Sequence, residues 1–277
     1  MIDRRTPSAL TIAGSDSGGG AGVQADLKTF AAHGVHGLSA ITALTAQNTR
    51  GVSSVHVPPV EFLRAQIDAC YDDFNIGAVK IGMLANADVI DAVAAALEHY
   101  KPAVVILDPV MVATSGAALL DTSALAALRN RILPLASLVT PNIPEAQMLT
   151  GLAIGSAEDA VAAMVELHRL GARSVLLKGG HLEEGEYVID RFSDGLSLHT
   201  FVHPRLPLRA HGTGCTLAAA ITARLCANEP IAAACEGAGN YVFDALRAGY
   251  SPGRSDITLL DHAGTISSNP ANKKAGD

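Results

Sequence analysis

A thiol stands inside a glycine-rich turn at residues 211–215, which read His-Gly-Thr-Gly-Cys. The two glycines allow backbone N–H groups to turn toward one point, and a helix predicted over 213–227 directs its positive dipole end to the same point. The amides of Gly212 and Gly214 would then hold an anion beside Cys215, which serves as nucleophile or base. Such an arrangement suits the transfer of a phosphoryl group. The alternative is a glycine-rich loop with an inert small residue at a helix start.

Two further segments carry oxygen-bearing side chains next to predicted strand ends. Asp108 ends the apolar run 104–107, where a carboxylate is costly unless it binds a cation or a hydrogen-bond donor. Asn142 and Glu145 are three residues apart at a helix start, so both lie on one side of it. Oxygen ligands of this kind suit Mg²⁺ that shares phosphate oxygens. The alternatives are a turn or cap at Asp108 and a capping box made by Asn142 with Glu145.

Lys178, Asp26 and Gln47 are the remaining polar candidates. Lys178 follows the apolar run 174–177 and precedes two glycines, so its ammonium can reach a phosphate as a point charge. Asp26 lies one turn into the first predicted helix, and Gln47 lies in the polar segment 45–49. A carboxylate and an amide together can recognise the donor and acceptor edge of a small heterocycle. The alternatives are a solvated lysine and two surface caps.

Strands and helices alternate along the chain, which predicts an α/β fold with a mainly parallel central sheet flanked by helices on both faces. The predicted strands are 10–13, 36–42, 78–81, 103–107, 138–140 and 174–177. The predicted helices are 21–33, 59–74, 87–100, 121–132 with Asp121 as its cap, 158–170, 213–227 and 231–248. Segments 187–192 and 196–202, separated by Ser-Asp-Gly, predict a hairpin. Residues 1–261 are predicted to form one domain, and the polar residues 262–277 a disordered tail.

The candidate residues share a position relative to the predicted sheet. In an open parallel sheet, ligands bind outside the carboxyl ends of the strands. Strand ends or helix starts are predicted at Gly14, residues 82–83, Asp108, Asn142, Lys178 and Gly212. We therefore expect these residues to meet at one edge of the sheet and to form a single site.

Composition and charge limit the kind of protein. The 277 residues are 49% hydrophobic but only 4% aromatic, so Ala, Val, Leu and Ile must build the core. A net charge of −7 without a cluster of Lys and Arg argues against a nucleic-acid partner. Four cysteines without a C-x-x-C pair favour neither a zinc site nor a dithiol. Neither a secretory signal nor an apolar run of ~18 residues is found, so we expect no membrane association and a cytoplasmic location.

Taken together, the motifs closely resemble the hydroxymethylpyrimidine/phosphomethylpyrimidine kinases of thiamine biosynthesis, within the ribokinase superfamily. The resemblance extends over roughly residues 8–250 and rests on seven segments in the expected order, which is far more specific than any one of them. The segments are TIAGSDSGGGAG at 11–22 running on to QADLK at 24–28, AITALTAQNT at 40–49, KIGML at 80–84, DPVM at 108–111, TPNIPE at 140–145, LKGGH at 177–181 and HGTGC at 211–215.

The resemblance implies a role for each matching position and a kinase that uses ATP and Mg²⁺. The pyrimidine pocket would be lined by Gly14, Asp26, Gln47, Met83 and Val110. The nucleotide phosphates would lie along Asn142, Lys178 and Thr213, and Mg²⁺ would be organised by Asp108 and Glu145. The anion hole would be formed by the amides from Gly212 to Cys215, with Cys215 as the base. Most ribokinase relatives carry Asp at that position, so the cysteine supports the narrower pyrimidine-kinase assignment.

A cysteine base has a physical consequence, because the thiolate rather than the thiol accepts a proton. We expect the helix N-terminus to lower the pKa of Cys215 from its free value of ~8.5. The resemblance also suggests a homodimer.

Three alternative functions remain. A pyridoxal kinase shares the fold and acts on a similar flat ring with a hydroxymethyl group. A non-catalytic ligand sensor is expected to lose the anion-hole glycines, the base or Lys178, all of which are present. A dinucleotide-binding oxidoreductase is expected to end its second strand with an acidic residue, which the segment 36–42 lacks.

Overall fold

Nine strands form the central sheet in the part of the chain that the computed structural model describes, residues 7–112, 116 and 119–263. The strands are β1 (Ser8–Asp16), β2 (His36–Asn48), β3 (Gly51–His56), β4 (Ile76–Ile81), β5 (Val105–Leu107), β6 (Leu138–Val139), β7 (Val175–Leu177), β8 (Tyr187–Ser193) and β9 (Leu198–Pro204). Their order across the sheet is β3-β2-β1-β4-β5-β6-β7-β8-β9.

The central part of this sheet is parallel. Strands β2, β1, β4, β5, β6 and β7 pair in parallel, while β3 at one edge and β8 with β9 at the other are antiparallel. The carboxyl ends of the parallel strands therefore lie along one edge. A second, two-stranded parallel sheet joins β10 (Arg209–His211) to β11 (Ile257–Leu259).

Helices cover both faces of the central sheet, as predicted. They are α1 (Gly22–Ala32), α2 (Val60–Asp73), α3 (Ala87–Tyr100), the short α4 (Leu125–Ala127), α5 (Ile143–Thr150), α6 (Ala157–Arg169), α7 (Thr213–Cys226) and α8 (Ile231–Arg247). On one face α2, α3, α5 and α6 share a core of aliphatic side chains with the sheet. On the other face α1, α7 and α8 pack together, and the alanines 218–220 of α7 are fully buried, so this small-residue helix lies close to its neighbours.

The predicted helix 121–132 is not continuous. It is divided into a 3-10 turn (Thr122–Ala124), α4 and a π turn (Leu128–Ile132), and no capping hydrogen bond comes from the Asp121 side chain. The next 3-10 turn contains Pro134, whose ring lacks an N–H and clashes with the carbonyl four residues earlier. Regular α-helix therefore cannot continue through this segment.

Strands β3, β10 and β11 were not predicted. Strand β3 is largely exposed and carries no apolar alternation, while β10 and β11 have three residues each, too few to show a period. The predicted hairpin is confirmed as β8 with β9. Of the tail predicted to be disordered, residues 264–277 lie outside the described residues. None of the helices in the described part of the chain has the length and apolar character to cross a bilayer.

Candidate active site

A cavity of about 670 Å³ lies at the edge where the parallel strands end. Side chains and turns at the carboxyl ends of the strands line this cavity, because the ends of neighbouring parallel strands lie along the same edge of the sheet. Every predicted site residue except Asp26 lines this cavity: Gly14, Gln47, Met83, Asp108, Val110, Asn142, Glu145, Lys178, Gly212, Thr213, Gly214 and Cys215.

The glycine-rich turn is held in one conformation by a close contact. Gly212 precedes α7 with a left-handed backbone of φ +86, and a Cβ there would lie 1.9 Å from the carbonyl oxygen of Gly20. Both features require glycine. The first N–H groups of α7 have no partners within the helix, so they and the helix dipole are available to an anion at the mouth of the turn.

Lys178 stands between two carboxylates. Its Nζ lies 2.9 Å from Asp108 Oδ1 and 3.6 Å from Glu145 Oε2. A Cβ at Gly214 would lie 3.1 Å from the same Nζ, so the first turn of α7 adjoins this ion cluster. Burial alone would lower the pKa of Lys178, but the charges of Asp108 and Glu145 outweigh it and raise the pKa. Lys178 therefore remains a cation in the cavity wall.

Glu145 also serves as a helix cap. Its Oε2 accepts a hydrogen bond from the Asn142 N–H at 2.7 Å, and Asn142 Oδ1 accepts one from the Glu145 N–H at 2.9 Å. The capping box, considered as an alternative from the sequence, is thus present at the start of α5 and coexists with the position of both residues on the cavity. Burial raises the pKa of Glu145 to about 7, and the nearby Asp108 charge adds to this shift while Lys178 opposes it.

The carboxylates can be tested as metal ligands. In the described residues, no group of three or more His, Cys, Asp or Glu side chains is arranged to enclose a metal ion. Asp108 and Glu145 nevertheless face the same part of the cavity on either side of Lys178. Protein sites for Mg²⁺ commonly use one or two carboxylates together with water and substrate phosphates. The donor set therefore fits Mg²⁺ held jointly with a nucleotide, and does not form a cage built by the protein alone.

The acidity of Cys215 differs from the expectation. The thiol lies in the first turn of α7 and faces the cavity, yet burial raises the pKa of Cys215 to about 11. Lys80 and the Gly22 N–H oppose the shift, whereas Asp26 and Asp108 add to it. Burial therefore opposes the lowering expected from the helix N-terminus, although the side chain is only partly covered and keeps access to the cavity.

Asp26 was expected to line the cavity and does not. Its side chain is fully buried, where it accepts a hydrogen bond from Thr11 Oγ1 at 2.6 Å and pairs with Lys80 Nζ at 2.9 Å. The alternative of a surface cap is equally wrong. Helix α1 directs this residue toward strands β1 and β4, and Lys80 rather than Asp26 forms part of the cavity wall.

Gln47 is held by a polar network at the other end of the cavity. Its Nε2 lies 2.9 Å from His211 Nε2, and Thr45 Oγ1 donates to its Oε1 at 3.1 Å. His211 Nε2 also lies 3.2 Å from Asp16 Oδ2, and that carboxylate accepts the N–H groups of Gly20 and Ala21 at 3.0 and 2.9 Å. One network therefore joins the loop after β1, the end of β2 and the glycine-rich turn.

Sequence reasoning missed several residues that shape the site. Lys80 interrupts an otherwise apolar buried strand, and that was a usable signal. Asp16 and His211 occur inside the quoted motifs but were given no role. Asp190 is half-buried on β8, where it accepts the Gly179 N–H at 2.8 Å and holds the turn after Lys178. No local sequence pattern indicates this contact, because it arises only when β8 pairs with β7.

Comparisons with known sequences point to one family. A family model described as phosphomethylpyrimidine kinase matches residues 16–259. The hydroxymethylpyrimidine/phosphomethylpyrimidine kinase of Bacillus subtilis is 49% identical over 239 residues, which are 86% of this chain and 88% of that protein. The thiamine biosynthesis bifunctional protein ThiED of Geobacter sulfurreducens is 51% identical over 259 residues, which cover 92% of this chain. The chain spans only 53% of that longer relative.

Solved structures show the same fold. A phosphomethylpyrimidine kinase from Clostridium difficile 630 superposes with a TM-score of 0.78 and 40% identity, covering 87% of this chain and 99% of that one. An ADP complex of Bacillus subtilis pyridoxal kinase reaches a TM-score of 0.88 at 32% identity, covering 96% of this chain and 100% of that one. The ribokinase-like α/β fold predicted from the sequence is confirmed, and the chain belongs to the phosphomethylpyrimidine kinase family.

Proposed function

We propose that this chain transfers phosphoryl groups from ATP to 4-amino-5-hydroxymethyl-2-methylpyrimidine and then to its monophosphate, in thiamine biosynthesis. The observation that carries the proposal is a cysteine at a glycine-rich helix start facing the same cavity as a lysine between two carboxylates. The Bacillus subtilis relative is named for both reactions, which supports this substrate class.

The substrate would lie against Gly14, Met83 and Val110. A Cβ at Gly14 would come within 2.9 Å of Met83 Sδ, so the glycine lets the thioether lie against the end of β1, where both residues line the cavity. The amide of Gln47 both donates and accepts hydrogen bonds, and it complements an amino group next to a ring nitrogen. In this assignment Asp26 does not touch the substrate.

The nucleotide phosphates would lie along Asn142, Lys178 and Thr213, with the Gly212 and Gly214 amides at the transferring group. Asp108 and Glu145 would hold Mg²⁺, which neutralises phosphate charge when it is bound. The permanent charge of Lys178 and the amides of α7 then stabilise the charge that develops during transfer.

Cys215 would act as the base in the first transfer through its thiolate, which is the minor form of a thiol whose pKa burial raises to about 11. The substrate O–H bond breaks, its proton forms an S–H bond with the thiolate, and the oxygen bonds to the γ-phosphorus. The β,γ-bridging oxygen keeps its electron pair and leaves with ADP. The second transfer starts from a phosphate oxygen, whose second pKa of about 6 leaves it ionised at neutral pH, so it needs no base.

This difference between the two transfers gives a test of Cys215. We expect Cys215→Ala to lower kcat on the hydroxymethylpyrimidine by about 10²–10⁴, the usual contribution of a general base, and kcat on the monophosphate far less. ADP release in the presence of each substrate measures both rates, and the wild type should release two ADP per pyrimidine. Cys226→Ala, at the far end of the same helix, is the matched control. An equal loss on both substrates would refute the role of Cys215 as base.

Pyridoxal phosphorylation is a second candidate function. The observation that favours it is the close superposition on pyridoxal kinase, with a TM-score of 0.88. The same ADP assay with pyridoxal distinguishes the two. A higher kcat/KM for pyridoxal than for the pyrimidine would assign the chain to vitamin B6 metabolism and overturn the primary proposal.

We further propose a cytoplasmic homodimer. The edge strand β3 exposes Val55 by 41%, and its neighbour β2 exposes Leu44 by 43%, so this edge offers apolar surface and unpaired backbone groups to a second copy. The four cysteines are free, which suits a reducing compartment. Sedimentation velocity would refute the dimer by showing only the 28.5 kDa chain.

A further inference from the structure

A buried ion pair lies beside the cavity and has no role in the mechanism described above. Lys80 on β4 and Asp26 on α1 are both 0% exposed, and Lys80 Nζ lies 2.9 Å from Asp26 Oδ2. Removing two charges from water is costly, and apolar replacements of such pairs are often as stable or more so. Stability alone therefore does not explain why this pair occupies the core.

The pair is rigid but incompletely satisfied. Oδ2 of Asp26 accepts hydrogen bonds from both Lys80 and Thr11 Oγ1. Oδ1 is buried and has no hydrogen-bond partner among the described residues. The carboxylate therefore fixes the ammonium through one oxygen, while its own charge is only partly compensated.

Lys80 and Cys215 line the same cavity, and helix α7, which carries Cys215 in its first turn, packs against β4, which carries Lys80. A Cβ at Gly82 would lie 2.9 Å from Lys80 Nζ, so the glycine leaves the space that the ammonium occupies. The charged groups that act on the thiol come from four elements. They are Lys80 on β4, Asp26 on α1, Asp108 after β5 and Lys178 after β7.

We propose that Lys80 is a positioning residue for Cys215, whose buried ammonium, fixed in place by Asp26, stabilises the thiolate that accepts the substrate proton. This inference rests on the proposed role of Cys215 as base. The Lys80 side chain is 0% exposed, so we assign it no contact with substrate or nucleotide and an action through the sulfur alone. The two members of the ion pair have opposite effects on the thiol, since the cation favours the thiolate and the carboxylate disfavours it.

The opposite signs provide a test that does not depend on turnover. Alkylation of Cys215 by iodoacetamide follows the thiolate fraction, and mass spectrometry of the Cys215 peptide reads its rate as a function of pH. We expect Lys80→Met to slow alkylation at a given pH by roughly tenfold, the effect of one pKa unit, and Asp26→Asn to accelerate it by a similar factor. Cys226, measured in the same samples, is the internal control and should keep its rate.

A structural role for the pair predicts a different pattern. If the pair only supports packing, both variants loosen the site and change the alkylation rate in the same direction, and that result would overturn the proposal. Should Asp26→Asn fail to fold, the double variant Lys80→Met/Asp26→Asn removes both charges and should alkylate faster than Lys80→Met alone. A rate equal to or below that of Lys80→Met would also overturn it.

The failure of this inference is distinguishable from failure of the proposed function. Full activity of Cys215→Ala would refute the base, whatever the alkylation rates. Unchanged alkylation in Lys80→Met and Asp26→Asn, with Cys215→Ala inactive on the hydroxymethylpyrimidine, would refute only the role of Lys80.

Discussion

Lys178 shows how charge is balanced at a single residue of the site. Its ammonium pairs with Asp108 and lies near Glu145, so with both carboxylates ionised the three groups carry one net negative charge. A nucleotide phosphate would be repelled by that charge, and a divalent cation reverses it. The burial that raises the pKa of Glu145 to about 7 reduces the repulsion further, because protonation at Glu145 leaves the cluster neutral.

Replacing Lys178 tests this balance. We expect Lys178→Met to lower kcat by about 10²–10³, the cost of losing one electrostatic contact to the transition state, and to leave Asp108 facing Glu145 without a cation between them. Steady-state kinetics with ATP and the pyrimidine measure the loss, and a thermal melt checks folding. Lys101→Met, on the exposed residue after α3, is the control. Turnover close to wild type in Lys178→Met would contradict the assignment.

The residue types in the sequence predicted the location of most site residues. They predicted neither the position of Asp26 nor the acidity of Cys215. Glycine, lysine and carboxylate at strand ends indicated the cavity, because topology alone brings strand ends together. Asp26 and Cys215 were misjudged since burial depends on what packs around a side chain. Asp26 is packed against Thr11 of β1 and Lys80 of β4 rather than at the cavity, and burial raises the pKa of Cys215.

Elements with strong local signals were predicted closely. Helix α3 has the predicted bounds, since its apolar face repeats regularly and the Asn86 side chain caps its start. Strands β10 and β11 form only because two segments that are distant in the sequence pair with each other, so no local sequence pattern predicts them. The same holds for the network in which Asp16, His211 and Gln47 join three connections of the fold.

Asp16 is the anchor of that network. Burial alone would raise the pKa of Asp16, but hydrogen bonds from His211 and from the Gly18 and Ala21 amides lower it. Asp16→Asn replaces one accepting oxygen with a donor, and we expect it to release His211 and thereby Gln47. The KM for the pyrimidine should rise about tenfold, the free energy of roughly one hydrogen bond to a charged group, with a smaller change in the KM for ATP.

The matched control for this change is Asp194→Asn. Asp194 makes the same kind of side-chain contacts to backbone N–H groups, those of Leu196 and Ser197, but in the exposed turn between β8 and β9. It should leave both KM values unchanged. Equal increases in the two KM values for Asp16→Asn would instead indicate a general loosening of the loop after β1.

On the scale of the whole molecule, the C-terminal segment closes around the helix that carries Cys215. Strand β11 pairs with β10 directly before the glycine-rich turn. The side chain of Leu259 on β11 also lies against Gly20, because a Cβ added to Gly20 would be 2.7 Å from it. His262 Nε2 lies 3.1 Å from Thr216 Oγ1 in the first turns of α7. The positions of the catalytic turn and of the last described residues are therefore coupled, although nothing in the sequence near residue 215 indicates it.

His262 makes this closure sensitive to acid. Burial is the main reason that its pKa falls to about 4, with the Lys28 charge acting in the same direction. Between pH 6.5 and 4 the unfolded chain binds a proton at this residue that the folded chain does not, so the free energy of unfolding must decrease as pH falls through this range. The contribution is on the order of 3 kcal/mol. We expect His262→Gln, which keeps a polar partner for Thr216, to remove this part of the pH dependence.

Urea unfolding at a series of pH values from 7 to 4 measures the effect. As pH falls, the free energy of unfolding of the wild type should decrease more than that of His262→Gln. The control variant His199→Gln, on the exposed face of β9, should lose as much stability as the wild type. Parallel curves for wild type and His262→Gln would mean that the histidine is solvated in the native state. The C-terminal segment would then not be closed over α7, and acid would leave the geometry of the Cys215 turn unaffected through this contact.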